Sequence, residues 1–258
     1  MDRARRDRRL TLKAPAADQL HLLDLQALDT HLDQLAHRRS HLAEHAQISE
    51  LEARRDSLRD ELVGAQTDQG DLAREQSKAE GDVEQVRART TRDQQRLDAG
   101  QVSSPKELES LQHEIATLSR RQGDLEDIVL DVMERAEAVA ARVSALTAEE
   151  SELETTLTEA TARRDAGLGE IDRETEQTRS ERAATLDGID AALVELYEKV
   201  RAQQGGTGAA PLFQRRCMGC RLEINATDMA RFRAADEDEV LRCEECRRIL
   251  VRTAESGL

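Results

Sequence analysis

Apolar side chains recur along most of this chain at alternating steps of three and four. From Leu108 the stepping passes Leu111, Ile115, Leu118, Gln122, Leu125, Val129, Val132, Ala136, Val139, Val143, Leu146, Glu150, Leu153, Leu157 and Ala160, and fourteen of the sixteen positions are apolar. A seam of that period is the signature of a coiled coil. The first half carries a weaker version: from Leu51 through Leu97 nine of fourteen positions are apolar, with Arg55, Gln69, Gln76, Thr90 and Asp93 interrupting. An earlier run, Leu25, Leu28, Leu32, Leu35 and Leu42, is out of phase with it, so the supercoil is expected to adjust near Ile48.

The three prolines punctuate the pattern, because an interior proline removes a helix hydrogen bond and clashes with the preceding turn. Pro15 opens the first helix and Pro105 the second, and Pro211 follows the stretch Gly205-Gly206-Thr207-Gly208. Around Pro105 the signals are explicit. Gly100 supplies a left-handed stop, Ser104 a cap, and Glu107 the partner residue of a Ser-x-x-Glu box. The pattern therefore predicts helices over about 15–99 and 105–203, folded as an antiparallel hairpin over 15–204 with its turn at 100–104. A reversal there sets Val86 against Leu118, Leu72 against Val132 and Leu58 against Leu146. A bend is expected within Thr161–Arg182, which holds Gly167 and Gly169 and few large apolar groups. Residues 205–210 read as a flexible glycine-rich linker, and 211–258 as a separate small domain.

Composition excludes a large globular core. The only aromatic residues are Tyr197, Phe213 and Phe232, tryptophan is absent, and charged residues make up 35% of the chain. The fold class is therefore mainly α, a long coiled-coil hairpin with a small C-terminal domain. The net charge of −15 is uneven: residues 1–15 carry six basic and two acidic side chains, residues 209–258 carry nine of each, and the acidic excess lies between. Such a charge repels nucleic acid along the hairpin and confines any contact to the ends. No apolar run approaches the length needed to span a bilayer, so no membrane association and a cytoplasmic location are expected. Residues 1–14 read as a basic, disordered extension.

The strongest chemical signal is a pair of Cys-x-x-Cys motifs, Cys217-Met-Gly-Cys220 and Cys243-Glu-Glu-Cys246, which hold all four cysteines. A two-residue spacer lets one tight turn present two thiolates to one ion, and two turns complete a tetrahedral shell. One structural Zn2+ is expected. A closed shell leaves no position for a reacting water, and the chain offers no phosphate loop, nucleophile elbow or His-Glu-x-x-His motif, so neither an enzyme nor a small-molecule substrate is expected. Disulfides or redox-active thiols are the lesser readings.

Two other clusters invite a function. His37, His41 and His45 recur every four residues but lack a carboxylate or further ligand, and read as a solvated face. Around the cysteines, Phe213, Arg215, Arg216, Arg221, Arg231, Arg233, Arg247 and Arg248 form a candidate surface for nucleic acid or a partner, with Phe232 as a second aromatic. Against that stand Asp236-Glu237-Asp238-Glu239 and Glu244-Glu245, which cancel the local charge.

The turn Val102-Ser103-Ser104-Pro105-Lys106-Glu107-Leu108, the following Leu111-Gln112-His113-Glu114-Ile115, and the ending Cys243-Glu244-Glu245-Cys246-Arg247-Arg248-Ile249-Leu250 resemble the bacterial C4-type zinc-ribbon coiled-coil family over roughly residues 13–252. The resemblance implies a non-enzymatic, nucleic-acid-binding zinc ribbon protein, some of whose relatives are partners of an alternative sigma factor and of flagellar messenger RNA. It makes Cys217, Cys220, Cys243 and Cys246 the zinc ligands and Ser104, Pro105, Lys106 and Glu107 the hairpin tip. The family often has glycine after the last cysteine where this chain has Arg247, so the second metal-binding turn is expected to differ. The leading expectation is an adaptor that binds RNA or single-stranded DNA through the ribbon. A scaffold or chaperone-like partner of a transcription factor is the alternative, and a thiol redox or zinc sensor ranks below both.

Overall fold

The computed structural model describes residues 12–258. The run Arg3–Arg9 lies outside the described residues. In chain order the elements are α1 (Ala16–Ser40), α2 (Ala43–Asp98), α3 (Pro105–Leu186), α4 (Ala191–Gln203), β1 (Ala209–Phe213), β2 (Arg216–Cys217), α5 (Ala226–Ala234), β3 (Leu241–Arg242) and β4 (Ile249–Val251). The chain divides into two compact units, one of residues 46–162 and one that gathers the chain before residue 46 with that after residue 162.

The 46–162 unit is the hairpin of the seam. Leu58, Leu62 and Ala65 of α2 bury against Leu146 and Leu153 of α3, with Leu51 and Val143 alongside, so Leu58 and Leu146 share a cluster as the register requires. Ion pairs Arg54–Glu149, Arg87–Glu126, Arg89–Glu114 and Arg96–Glu107 cross between the helices in the same antiparallel order. They are exposed and screened by solvent, so they contribute little beside the seam. The turn forms as its residues dictate. Gly100 has φ 66°, Gln101 N donates to Arg96 O and Gly100 N to Leu97 O, the paired bonds of a Schellman stop. Glu107 N donates to Ser104 Oγ at 3.3 Å, but the reciprocal bonds run one residue further back, from Ser103 N and Oγ to Glu107 Oε2. Those bonds hold the Glu107 carboxyl below its ordinary range.

The other unit corrects the sequence reading in four places. The first helix is not continuous: α1 ends at Ser40 and α2 starts at Ala43, earlier than the expected adjustment at Ile48. His41 closes α1, its ring stacked on His37 with centroids 3.9 Å apart, while His45 Nε2 lies 3.1 Å from Arg39 O. The second helix breaks as well, though not at the bend expected in Thr161–Arg182. α3 runs through Gly167 and Gly169 without interruption and stops at Leu186. An internal glycine costs a helix only about 1 kcal/mol, and this stretch recovers it by burying Ile171 and Thr178. The break falls where the exposed amides find acceptors: Asp190 accepts from Ala192 N and Leu193 N to start α4, and its own N donates to Asp18.

The glycine stretch is not a flexible linker. Gly208 N and Ala209 N both donate to Gln26 Oε1, Gln26 Nε2 donates to Gly206 O, and Ala209 and Ala210 are already buried in β1. Gly208 is needed for close approach, since a Cβ there would sit 2.8 Å from Tyr197 O. Nor do residues 12–14 belong to a disordered extension. Ala14 N donates to Asp238 O, Val240 N to Leu12 O, and Lys13 Nζ pairs with Asp236 and Asp238 at 3.0 Å.

These contacts join the base of the helices to the small sheet in a single core. Leu22 and Leu25 of α1 and Leu193 and Tyr197 of α4 cluster with Ala209, Val240, Ile249 and Val251. The sheet order is β2-β1-β4-β3, with β1 parallel to β4 and the outer pairs antiparallel. The C-terminal region is therefore not independent, because removing the helices would expose residues whose burial is worth about 1.5–3 kcal/mol each.

Beside this core lies a buried charge. Asp29, 2% exposed, accepts from Arg182 at 2.6 Å and from Tyr197 Oη at 2.7 Å, with Arg201 Nε at 3.4 Å. Burial, with the bond to Asp29, pushes the Tyr197 hydroxyl far above its ordinary range, so it remains a donor. An Asp29→Ala variant leaves two guanidinium groups without their buried partner and is expected to lose about 3 kcal/mol. Denaturation followed through the fluorescence of Tyr197, the single tyrosine, checks it.

Candidate metal centre and ribbon surface

Each cysteine pair is presented by the same backbone device. In the first turn Arg221 N donates to Cys217 O and Cys217 N to Leu222 O. In the second, Arg247 N donates to Cys243 O and Cys243 N to Arg248 O. The residue after each motif, Arg221 and Arg247, has φ 62°. The absent glycine therefore does not alter the second turn. Arg247 adopts the left-handed conformation itself at a cost of about 1–2 kcal/mol, and so does Arg221. The guanidinium of Arg242 props the second turn by donating to Arg247 O.

The four Sγ atoms all lie within 4.8 Å of one another, Cys217 and Cys246 at 3.7 Å, Cys220 and Cys243 at 3.9 Å, and none is in a disulfide. Zinc–sulfur bonds of about 2.3 Å in a tetrahedron require sulfurs about 3.8 Å apart, so the donor set fits zinc. Cys217 and Cys243 are fully buried against Leu212, Ile224, Met229, Phe232, Leu241 and Leu250, and Cys220 and Cys246 half-buried beside them. Burial pushes the Cys217 thiol up and Cys243 up to about 11. For Cys246 burial acts in the same direction, but hydrogen bonds from the Arg248 backbone and side chain and from the neighbouring thiols bring it down to about 7. Packed thiols resist becoming four adjacent anions, and a bound dication supplies the charge that makes four thiolates compatible. Such a centre builds structure: without it the sulfurs that tie the two turns together have no common partner.

The remaining sequence-predicted residues separate into two groups. Phe232 is a core residue, 2% exposed, and Phe213 is half-buried. Arg248 is structural: it donates to Thr207 O and Gln204 O, and its Cδ fills the space in which a Cβ on Gly219 would stand at 2.6 Å. Arg231 pairs with Asp228 and Glu244, Arg247 with Glu244, Arg215 with Glu223, and Arg233 donates to Gly257 O. Arg216 and Arg221 are exposed, with no carboxylate partner among the described residues. Two exposed residues escaped the sequence reading, Met218 (45% exposed) and Leu222 (51%). Setting the two motifs side by side reveals them, because the equivalent positions of the second turn are Glu244 and Arg248. Ser104, Pro105, Lys106 and Glu107 lie at the start of α3, where Ser103, Ser104 and Pro105 line a shallow apolar hollow with Leu97, Val102 and Leu108. The histidines gather no metal set, since the cysteines form the only such group among the described residues.

Elemental analysis of protein made under reducing conditions is expected to return one zinc per chain, and Cys220→Ser to lower that content sharply. Arg247→Gly relieves the left-handed strain and is expected to keep the metal while raising stability by about 1 kcal/mol in denaturant titrations.

Two family models match: a C4-type zinc ribbon domain over residues 216–250 and a CT398-like coiled-coil hairpin domain over residues 25–205. Neither indicates an enzymatic family. The protein Rv2229c of Mycobacterium tuberculosis (strain ATCC 25618 / H37Rv) is 38% identical over 241 residues, covering 93% of this chain and 98% of its own. A solved structure from Mycobacterium smegmatis is 42% identical, covers 94% of this chain and 100% of its own, and superposes with a TM-score of 0.81. CT398 of Chlamydia trachomatis shares the fold at 18% identity, with a TM-score of 0.66 over 92% of this chain and 98% of its own. Among the described residues no helix is long and apolar enough to cross a membrane. Seam, hairpin turn and paired cysteine turns thus converge with these matches, and the chain belongs to the CT398-like coiled-coil hairpin family, carrying a C4-type zinc ribbon at its C-terminal end.

Proposed function

We propose that the protein is a non-enzymatic adaptor whose zinc ribbon is a protein-binding head built into the base of the coiled-coil hairpin. The observation that carries this reading is the fate of the basic set. Arg215, Arg231 and Arg247 are engaged by carboxylates, Arg248 is consumed by backbone carbonyls, and Phe232 lies in the core. Nucleic-acid affinity rests on cations free to replace counterions along phosphates, and single-strand binding adds exposed aromatic faces. This ribbon retains few of the first and only the half-buried Phe213 of the second. Protein recognition asks for less charge and more apolar area on a rigid frame, which the metal and the shared core supply.

The test is affinity purification of the full-length, zinc-loaded protein from its own cells, with and without nuclease. A defined protein is expected to be retained after digestion and lost from a Cys243→Ser variant. Recovery of a specific RNA or single-stranded DNA that persists in a salt series, with no protein surviving digestion, would establish the nucleic-acid reading instead.

A further inference from the structure

We propose that the first cysteine turn is itself the docking surface, and that it takes an acidic segment of a partner protein bearing apolar side chains. The proposal rests on the adaptor reading and gives it an address. The two cysteine turns are backbone equivalents: both close with the same pair of main-chain hydrogen bonds and both end on an arginine at φ 62°. The metal asks nothing more of either than its cysteines and that turn. The side chains nevertheless differ in kind. The side chains of the second turn are engaged by neighbours, Glu244 by Arg231 and Arg247 and Arg248 by Thr207 O and Gln204 O. The first turn places Met218 and Leu222, each about half exposed, beside Arg216 and Arg221, which have no carboxylate partner among the described residues.

Metal binding does not account for two large apolar side chains in water flanked by two unneutralised guanidinium groups. It is a composition suited to a protein–protein interface, where Met and Arg are enriched relative to the rest of the surface and a rigid frame lowers the entropic cost of binding. Charge complementarity fixes the occupant. The guanidiniums call for carboxylates, and Met218 with Leu222 for an aliphatic or aromatic side chain between them. A long polyanion fits less well than a short acidic segment, because beyond these two guanidinium groups it would run over a domain whose nine basic side chains are matched by nine acidic ones.

The experiment uses the full-length zinc-loaded chain to select from a displayed library of random peptides at physiological ionic strength. The selected peptides and a single-stranded RNA oligonucleotide are then titrated against variants shown to retain zinc and helicity. Acidic peptides with apolar residues are expected to be enriched. Met218→Ser with Leu222→Ser, and separately Arg216→Glu with Arg221→Glu, should each weaken them at least about tenfold, and Glu245→Ala should leave them unchanged. Peptides that bind all variants equally would overturn the assignment of this turn while leaving the adaptor reading intact. Enrichment of basic or uncharged peptides would overturn the charge argument. No peptide enrichment, together with RNA binding lost in the same variants, would overturn both readings at once.

Discussion

Four sulfurs within 4.8 Å of one another constrain the rest of this molecule. Left as thiols they are small apolar groups in a thin core, and as adjacent thiolates they repel. Only a shared cation makes them a crosslink, and that crosslink ties β2 and the first turn to the second turn between β3 and β4. The sheet then has a face to offer: Ala209, Ile249 and Val251 pack on Leu22, Leu25 and Tyr197, which ties the cysteine-bearing domain to α1 and α4. A domain of this size seldom builds enough core alone. This one has the packing of α1 and α4 on one side, and on the other a cysteine set that a zinc ion would close.

The buried polar groups near that junction serve geometry. Gln26 satisfies Gly208 N and Ala209 N, and Asp29 gathers Arg182, Arg201 and Tyr197. An apolar contact would tolerate some sliding between helix and strand, whereas a buried amide or carboxylate penalises any arrangement that leaves it unpaired. Their location, where the chain passes from helix to strand, is where register most needs fixing.

Function-bearing surface is scarce and unevenly distributed. Most charges of the ribbon are internally balanced, which leaves Arg216 and Arg221 of the first cysteine turn without carboxylate partners among the described residues, beside exposed Met218 and Leu222, while Glu244 of its structural twin is paired. Two turns with one backbone and different side chains separate what the metal requires from what a partner would require.

Much of this was legible in the order of residues. The period from Leu108 to Ala160, Gly100 before Pro105, and two Cys-x-x-Cys motifs determine helices, reversal and metal centre, because each depends on interactions within a few residues or on a spacing that one ion imposes. Helix breaks at His41 and Asp187, the packed rather than loose Gly205–Gly208 stretch, the burial of Phe232 and the tethering of Arg248 to backbone carbonyls were decided by the tertiary structure. For three of these the deciding partner lies far away in sequence: Gln26 for Gly208, Asp18 for Asp190, Thr207 for Arg248. A local pattern states what a segment can form, and only the groups brought against it from elsewhere in the chain settle whether a polar atom is satisfied there or a side chain remains free to bind.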